Sequence, residues 1–530
     1  MRLLVCLFLL CPLVLGQGSP SSLPNANTGS DSQGQSLADV ARRLRKDHTQ
    51  EVRTTPEDAK KLLESVDEIL TFASEDSGFA KRSGVKSRLV NEAEVENSAR
   101  ERLAKQEYTQ RFARTELTMK KFGLLPREFS LREFLVRATG KQTAAYYDDE
   151  TKMISLLNWV PAETQAPILA HELTHALQDQ NYSLQKWMGR LPKSPAKDTK
   201  SLQTEGNDDS IIARDAVVEG QAMVVYIDYI LAKVGRNLQN TPGLVYQMED
   251  PAVKASPDTQ LLHDAPMILR EAGTFPYRSG LIFEGELLQA GGKQMAFAGA
   301  FARPPRSTHE VLQPRAYIDR EPLPSLAIPD LGQIVADKYE IYDKGGMGEL
   351  DVRAILEQSG NRKVAQSLAS AWQGGRYVAF RKLPAAAEPS TTSDLALFYV
   401  SRWRSPVAAA QFARLYAGAV TQRYQKVSAQ PAPACAGDRC PAFAAYHTTE
   451  EGSASIQQLA DGTVIVCEGF DDATAAQLRS AWQEAPRKTV AEDQGWDELN
   501  LRLQSIPEFS AFQEQIGRTM LQIAIETVTK

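Results

Sequence analysis

Along most of the chain, apolar residues recur every three or four positions; in a few short stretches they alternate instead. From Ser36 to about Arg137, charged residues separate Leu, Val, Ile and Phe at the helical interval. That spacing predicts an N-terminal helical region over 36–137, with helix starts at Pro56-Glu-Asp and Pro126-Arg-Glu. The texture then changes. Thr143–Tyr147 and Lys152–Leu156 flank the turn-forming Asp148-Asp149-Glu150 and read as a β-hairpin. Helices are predicted next over 163–180 and 211–234, then over 261–271, 278–291 and 347–358. A second change lies near Tyr377. Strand-like Tyr377–Phe380 and Leu395–Val400 precede a helix at 406–424, a hairpin turning at Asp461-Gly462, and a helix at 472–484. These elements predict a small C-terminal α/β sandwich over 376–485, with helices on one face of its sheet. A helical, amphipathic segment over 486–530 completes the expectation. The fold class is α+β: a mostly helical core over 138–375 between the helical region and the sandwich.

Composition narrows the function. At roughly 150 residues per domain, 530 residues suggest three or four domains. A net charge of -6 lacks the basic footprint that phosphate backbones demand, so nucleic acid is not an expected partner. The first sixteen residues place Arg2 before a mostly apolar run ending at Gly16. They read as a signal peptide over 1–16, followed by a Gly-, Ser-, Asn- and Gln-rich linker over 17–35, and predict an exported protein. No later segment reads as a membrane span; the best candidate, Val224–Val234, carries Asp228. Two of the five cysteines fall within the signal. Cys435 and Cys440 sit in a short polar loop that can close a disulfide in an oxidising compartment, and Cys467 reads as a small buried hydrophobe.

The candidate chemistry lies at His171-Glu172-Leu173-Thr174-His175, inside the first helix of the core. Residues four apart share a helix face, so both imidazoles can aim at one ion. Glu172 is rotated off that axis and can reach a water beside the ion without ligating it. Chance yields such a pattern in only about one chain in a hundred of this histidine content. A catalytic zinc needs a third protein ligand and an open fourth position. No third histidine follows at a metal-ligand spacing. Glu219 is the candidate, because it and Asp215 are the only acids between Ile211 and Ile227 on an otherwise apolar helix. A buried acid generally has a partner. Asp215, one turn earlier on the same face, is expected to hydrogen-bond a ligand histidine. The implied cofactor is Zn2+.

His171-Glu-Leu-Thr-His175 followed on the next helix by Val218-Glu219-Gly220-Gln-Ala222 resembles the gluzincins, zinc metallopeptidases with two histidines and a downstream glutamate as ligands; the closest match is the peptidase MA-like family. Phe275-Pro-Tyr277-Arg-Ser-Gly280-Leu-Ile-Phe283 resembles a segment of the aminopeptidase branch in which a tyrosine steadies the oxyanion. The resemblance therefore implies a zincin-like core and a catalytic role for Tyr277 beside Glu172. It spans roughly residues 140–320. The aminopeptidase strand that anchors a free amino terminus is absent, which favours an endopeptidase, and Met223 stands where thermolysin-like enzymes carry an aspartate. His263 and His309 receive no role. The expectation is an exported zinc metallopeptidase acting on a peptide or protein substrate, with an extended peptide adding to the edge of the hairpin over 143–156. Two rivals remain: an exported zinc-binding scaffold without turnover, and a zinc hydrolase of non-peptide amides.

Overall fold

A computed structural model describes residues 56–485 apart from intervening stretches, the longest being 189–207, together with residues 513, 516, 517 and 520. The expected signal peptide, the linker, the Cys435–Cys440 loop and most of 486–530 lie outside the described residues.

The N-terminal region is not wholly helical. After helix α1 (Pro56–Ser77) comes strand β1 (Lys86–Val90), then helices α2 (Gln106–Phe122) and α3 (Leu131–Thr139). The expected hairpin forms as β2 (Tyr146–Asp148) and β3 (Met153–Leu157), and β1 joins it by pairing parallel to β3. The resulting sheet has the order β1-β3-β2, which leaves β2 at its edge. Sequence periodicity gave no warning of β1: its Lys-Ser-Arg start is polar, and only Val90 is buried.

Three long helices form the core: α4 (Ala162–Tyr182), α5 (Asp208–Leu231) and α6 (Met267–Gln294). Nearly every side chain of α5 is buried, because α4 and α6 pack on it from different sides. The α5–α6 crossing is unusually close. A Cβ at Gly220 would stand 2.5 Å from the Gly280 carbonyl, and one at Gly280 would strike the Ala216 carbonyl oxygen. Only paired glycines admit such an approach. The helices expected at 261–271 and 278–291 are instead a short one (Gln260–Asp264) and the 28-residue α6, which runs through Pro276. Packing on α5 carries the helix across the proline despite the backbone hydrogen bond that residue removes. Beyond a kink at Gly292 (φ 64°), residues Met295–Gly299 form a π-helical turn.

The second sheet begins earlier and is larger than expected. Strand β4 (Tyr339–Gly346) is followed by helices α7 (Glu349–Glu357) and α8 (Arg362–Ala369) and strands β5 (Trp372–Lys382) and β6 (Leu395–Trp403). Helix α9 (Pro406–Arg423) leads to β7 (Val427–Gln430), β8 (Phe443–Thr448), β9 (Gly452–Gln458) and β10 (Thr463–Phe470), and α10 (Asp472–Glu484) closes the unit. The order is β4-β5-β6-β10-β9-β8-β7, antiparallel throughout. The expected boundary at 376 therefore moves to 339, since β4 pairs with β5 over most of its length. Both faces of the sheet are covered rather than one. Phe380, Phe398 and Ile465 face α10, while Tyr377, Tyr399 and Val466 belong to the core shared with α9 and the helical layer. Alternate burial on opposite faces follows from the two-residue repeat of a strand. Each such side chain contributes about 1.5–3 kcal/mol on leaving water.

Helix α2 belongs with this sheet. Phe122 meets the rings of Tyr377 and Tyr399 edge-on, at 5.2 and 5.7 Å. Beside it the fully buried Lys121 donates to the Thr392 carbonyl and to the Glu451 carboxylate, which also accepts from Thr392 and Arg127. Cys467 is buried as expected. Among the described residues no helix is long and apolar enough to cross a membrane.

Candidate metal centre

Helix α4 supplies both histidines. Leu169, Ala170, Leu173, Ala176 and Leu177 are wholly buried and fix the helix's rotation, which turns His171 and His175 together toward α5. Glu219 on α5 meets them there. His171 Nε2 lies 3.2 Å from Glu219 Oε2 and 3.1 Å from His175 Nε2, and His175 Nε2 lies 3.5 Å from the same carboxylate oxygen. Among the described residues this is the one group of three or more potential ligands so gathered, with donor atoms all within 4.8 Å of one another. A tetrahedral zinc with bonds of about 2.0–2.1 Å holds its ligand atoms roughly 3.3 Å apart. The observed separations of 3.1, 3.2 and 3.5 Å bracket that edge, so these residues fit the ion. Side-chain exposure rises from 4% at His171 to 12% at His175 and 18% at Glu219, so the group opens toward the last two.

Electrostatics bind the three together. Burial opposes charge on His175, yet the Glu219 carboxylate outweighs it and raises the imidazole to about 9. Burial likewise disfavours an ionised Glu219, but His175 and His171 hold its carboxyl well below the usual range. A cation at this position therefore competes with a proton for the same lone pair.

The support of His175 was not foreseen. Its Nδ1 meets Gln178 Oε1 at 2.9 Å, and Gln178 Nε2 donates to the Val218 carbonyl and to Gln221 Oε1 at 3.0 and 3.1 Å. Gln221 Nε2 in turn donates to the carbonyls of Ala296 and Phe297, at 2.8 and 3.1 Å, in the π-helical turn. Both amides are fully buried. The polarity of this chain runs one way. Gln221 spends its amino group on two carbonyls, so its oxygen faces Gln178; Gln178 then offers its own oxygen to His175. His175 must carry hydrogen on Nδ1, which leaves the Nε2 lone pair facing the cluster. Asp215 does not take the expected role: Gln178 holds His175, and His171 Nδ1 has no hydrogen-bond partner among the described residues. The only sequence hint of the amides was their polarity within apolar helices.

Glu172 lies off the ligand axis, and its Oε2 accepts the Tyr147 backbone N–H at 2.9 Å. The donor is on β2, the edge of its sheet among the described residues, so the carboxylate sits against an edge strand. Tyr147 Oη and Lys152 Nζ both donate to Asp179 on α4, clamping the hairpin to the helix that carries the motif. Tyr277 stacks near His171, with ring centroids 6.4 Å apart and planes inclined by 23°. It is only 4% exposed. His263 is surface-exposed beside Asp264, and the buried His309 meets Glu349 Oε2 while Gln313 donates to the other oxygen of that carboxylate; neither belongs to the cluster.

A family of unknown function, DUF8575, matches residues 339–479, which run from the first residue of β4 into α10. The match frames the second sheet and leaves the histidine cluster outside it. No curated protein and no solved structure matches the chain.

Proposed function

We propose that the chain is an exported zinc-dependent metallohydrolase that cleaves peptide bonds within chains. The observation that carries this reading is the convergence of His171, His175 and Glu219 at tetrahedral spacing, with Glu172 next along the same helix. Zinc held there supplies a Lewis acid that polarises the scissile carbonyl and eases deprotonation of water. Glu172 accepts that proton and returns it to the departing amine. The edge strand β2 aligns an extended substrate by backbone pairing, which places one of its carbonyls beside Glu172. Tyr277 steadies the negative charge that develops on that carbonyl oxygen. Export rests on the apolar run before Gly16.

The test is Glu172→Gln in the full chain, assayed on unfolded casein with zinc content measured in parallel. Zinc should stay and chelator-sensitive cleavage should fall by about a hundred- to ten-thousandfold, since the substitution removes general acid–base catalysis. Undiminished cleavage would refute the mechanism. A zinc-loaded wild-type chain with no turnover would favour the scaffold reading, and cleavage of non-peptide amides alone would favour the third.

A further inference from the structure

Tyr277 is expected to meet substrate, yet it is buried, and Gly517 from the C-terminal part of the chain packs against its ring. Gln513, Ile516, Gly517 and Met520 are helical and buried, at the spacing of a single helix face. Three contacts show where that face lies. A Cβ placed on Gly517 would collide with the Tyr277 ring and stand 2.7 Å from its hydroxyl oxygen. The helix backbone thus rests on the hydroxyl end of the phenol. Ile516 and Met520 enter the same apolar core as Tyr277. Gln513 Nε2 donates to the Ala272 carbonyl at 3.0 Å.

The last contact is the most specific. Pro276 has no N–H, so the carbonyl four residues back, that of Ala272, has no helical donor. Gln513 fills that vacancy from another part of the chain. The interruption in α6 is in this way a receptor, with an acceptor left open by Pro276, an aromatic platform at Tyr277 and an apolar floor. Its occupant meets the platform through Gly517, a residue that costs helix stability and is explained by the absence of a side chain.

Resting on the hydrolase reading above, we infer that the helical residues Gln513, Ile516, Gly517 and Met520 belong to a displaceable internal inhibitor, docked on the Pro276–Tyr277 receptor, which keeps the Tyr277 hydroxyl from substrate. Among the described residues, the docked face offers Ile516, Met520 and the Gln513 amide. A partner or substrate able to displace it would switch the centre on.

Two full-length variants test this. Gly517→Leu puts a side chain where the Tyr277 ring lies, and Ile516→Asp puts a charge on the buried face. Nitration of Tyr277 by tetranitromethane, followed by mass spectrometry on zinc-free protein, reads the cover without reference to activity. We expect at least tenfold faster nitration in either variant than in the parent chain, with thermal unfolding still cooperative though shifted downward by the loss of the Ile516 and Met520 contacts. A synthetic peptide of residues 509–524 should restore protection to the Ile516→Asp chain. Zinc-loaded variants should cleave casein at least about fivefold faster. Equal protection of Tyr277 in both variants would overturn the docking, and faster nitration with unchanged, measurable cleavage would overturn the inhibition. Faster nitration with no cleavage by any chain, the parent included, would support the docking and overturn the hydrolase reading instead.

Discussion

Replacing Gln178 by methionine keeps the length of the side chain and deletes its two polar ends. His175 Nδ1, on a ring 12% exposed, then loses its acceptor, and Gln221 Oε1 loses its donor in a fully buried setting. The Val218 carbonyl loses less, because it lies inside α5 and keeps its helical partner. Two orphaned buried groups at about 1–3 kcal/mol each predict about 2–6 kcal/mol of lost stability. Loss of the group that orients a ligand histidine predicts zinc binding weaker by about 10–100-fold, or roughly 1.4–2.7 kcal/mol. Competition against a fluorescent zinc chelator measures the second quantity, and denaturant unfolding of the zinc-free chain measures the first. Gln221→Met extends the argument, since Gln221 has no contact with His175 and acts only through Gln178. It should weaken zinc binding in the same direction by a smaller factor. Zinc affinity within twofold of wild type in Gln178→Met would refute the orientation argument; a Gln221→Met chain that loses stability alone would confine the effect to the first amide.

Two further predictions concern protons. His175 is lifted to about 9 in the fold, above its ordinary 6.5, so the folded chain holds a proton there that zinc must expel. Between about pH 6.5 and 9, zinc binding should release one proton and strengthen about tenfold per pH unit, levelling above 9; calorimetry in buffers of different ionisation enthalpy reads the count, and no release at pH 7.5 would refute it. In zinc-free protein, the stability that this proton contributes is fully present below about pH 6.5 and is lost as pH rises through 9. The second concerns Asp228, which burial first and neighbouring Asp76 next raise to about 8. Its folded form holds a proton that the unfolded chain surrenders near pH 4, so stability drains away as pH climbs from about 4 through 8. Asp228→Asn keeps the oxygen that accepts from the Leu238 N–H, and should raise the unfolding midpoint at pH 9 with little change at pH 4. An equal shift at both values would show that ionisation is not the cause.

How much of this was legible in the sequence depended on whether the cause was local. The helix bearing His171 and His175 announces itself through buried residues at helical spacing, and Glu219 stands out as an acid within an apolar helix; the structure brings those three together. Strand β1 has no such signal, because its place is set by β3, 67 residues later, through backbone pairing that polar side chains do not oppose. Strand β4 was missed for a related reason. Its Asp343-Lys344-Gly-Gly end reads as a loop, and a register shift between Ile341 and Asp343 spoils the alternation. Pro276 hid the continuity of α6, since nothing nearby reveals that α5 will hold the helix together across it. Gln178 and Gln221 were invisible because amides obey no spacing rule comparable to that of metal ligands. The helical segment expected over 486–530 lies mostly outside the described residues, and nothing in its sequence pointed to the contact of Gly517 with Tyr277.

The socket formed around Lys121 carries a consequence for how the chain is made. Its carboxylate partner Glu451 lies 330 residues downstream, and the carbonyl that Lys121 also contacts is 271 residues away. At ribosomal speeds of about 5–20 residues per second, α2 would wait roughly 16–66 seconds with its Phe122 ring and ammonium group unmatched. A nascent chain of this design needs a holdase, or an export route that delivers it unfolded, until translation reaches β9.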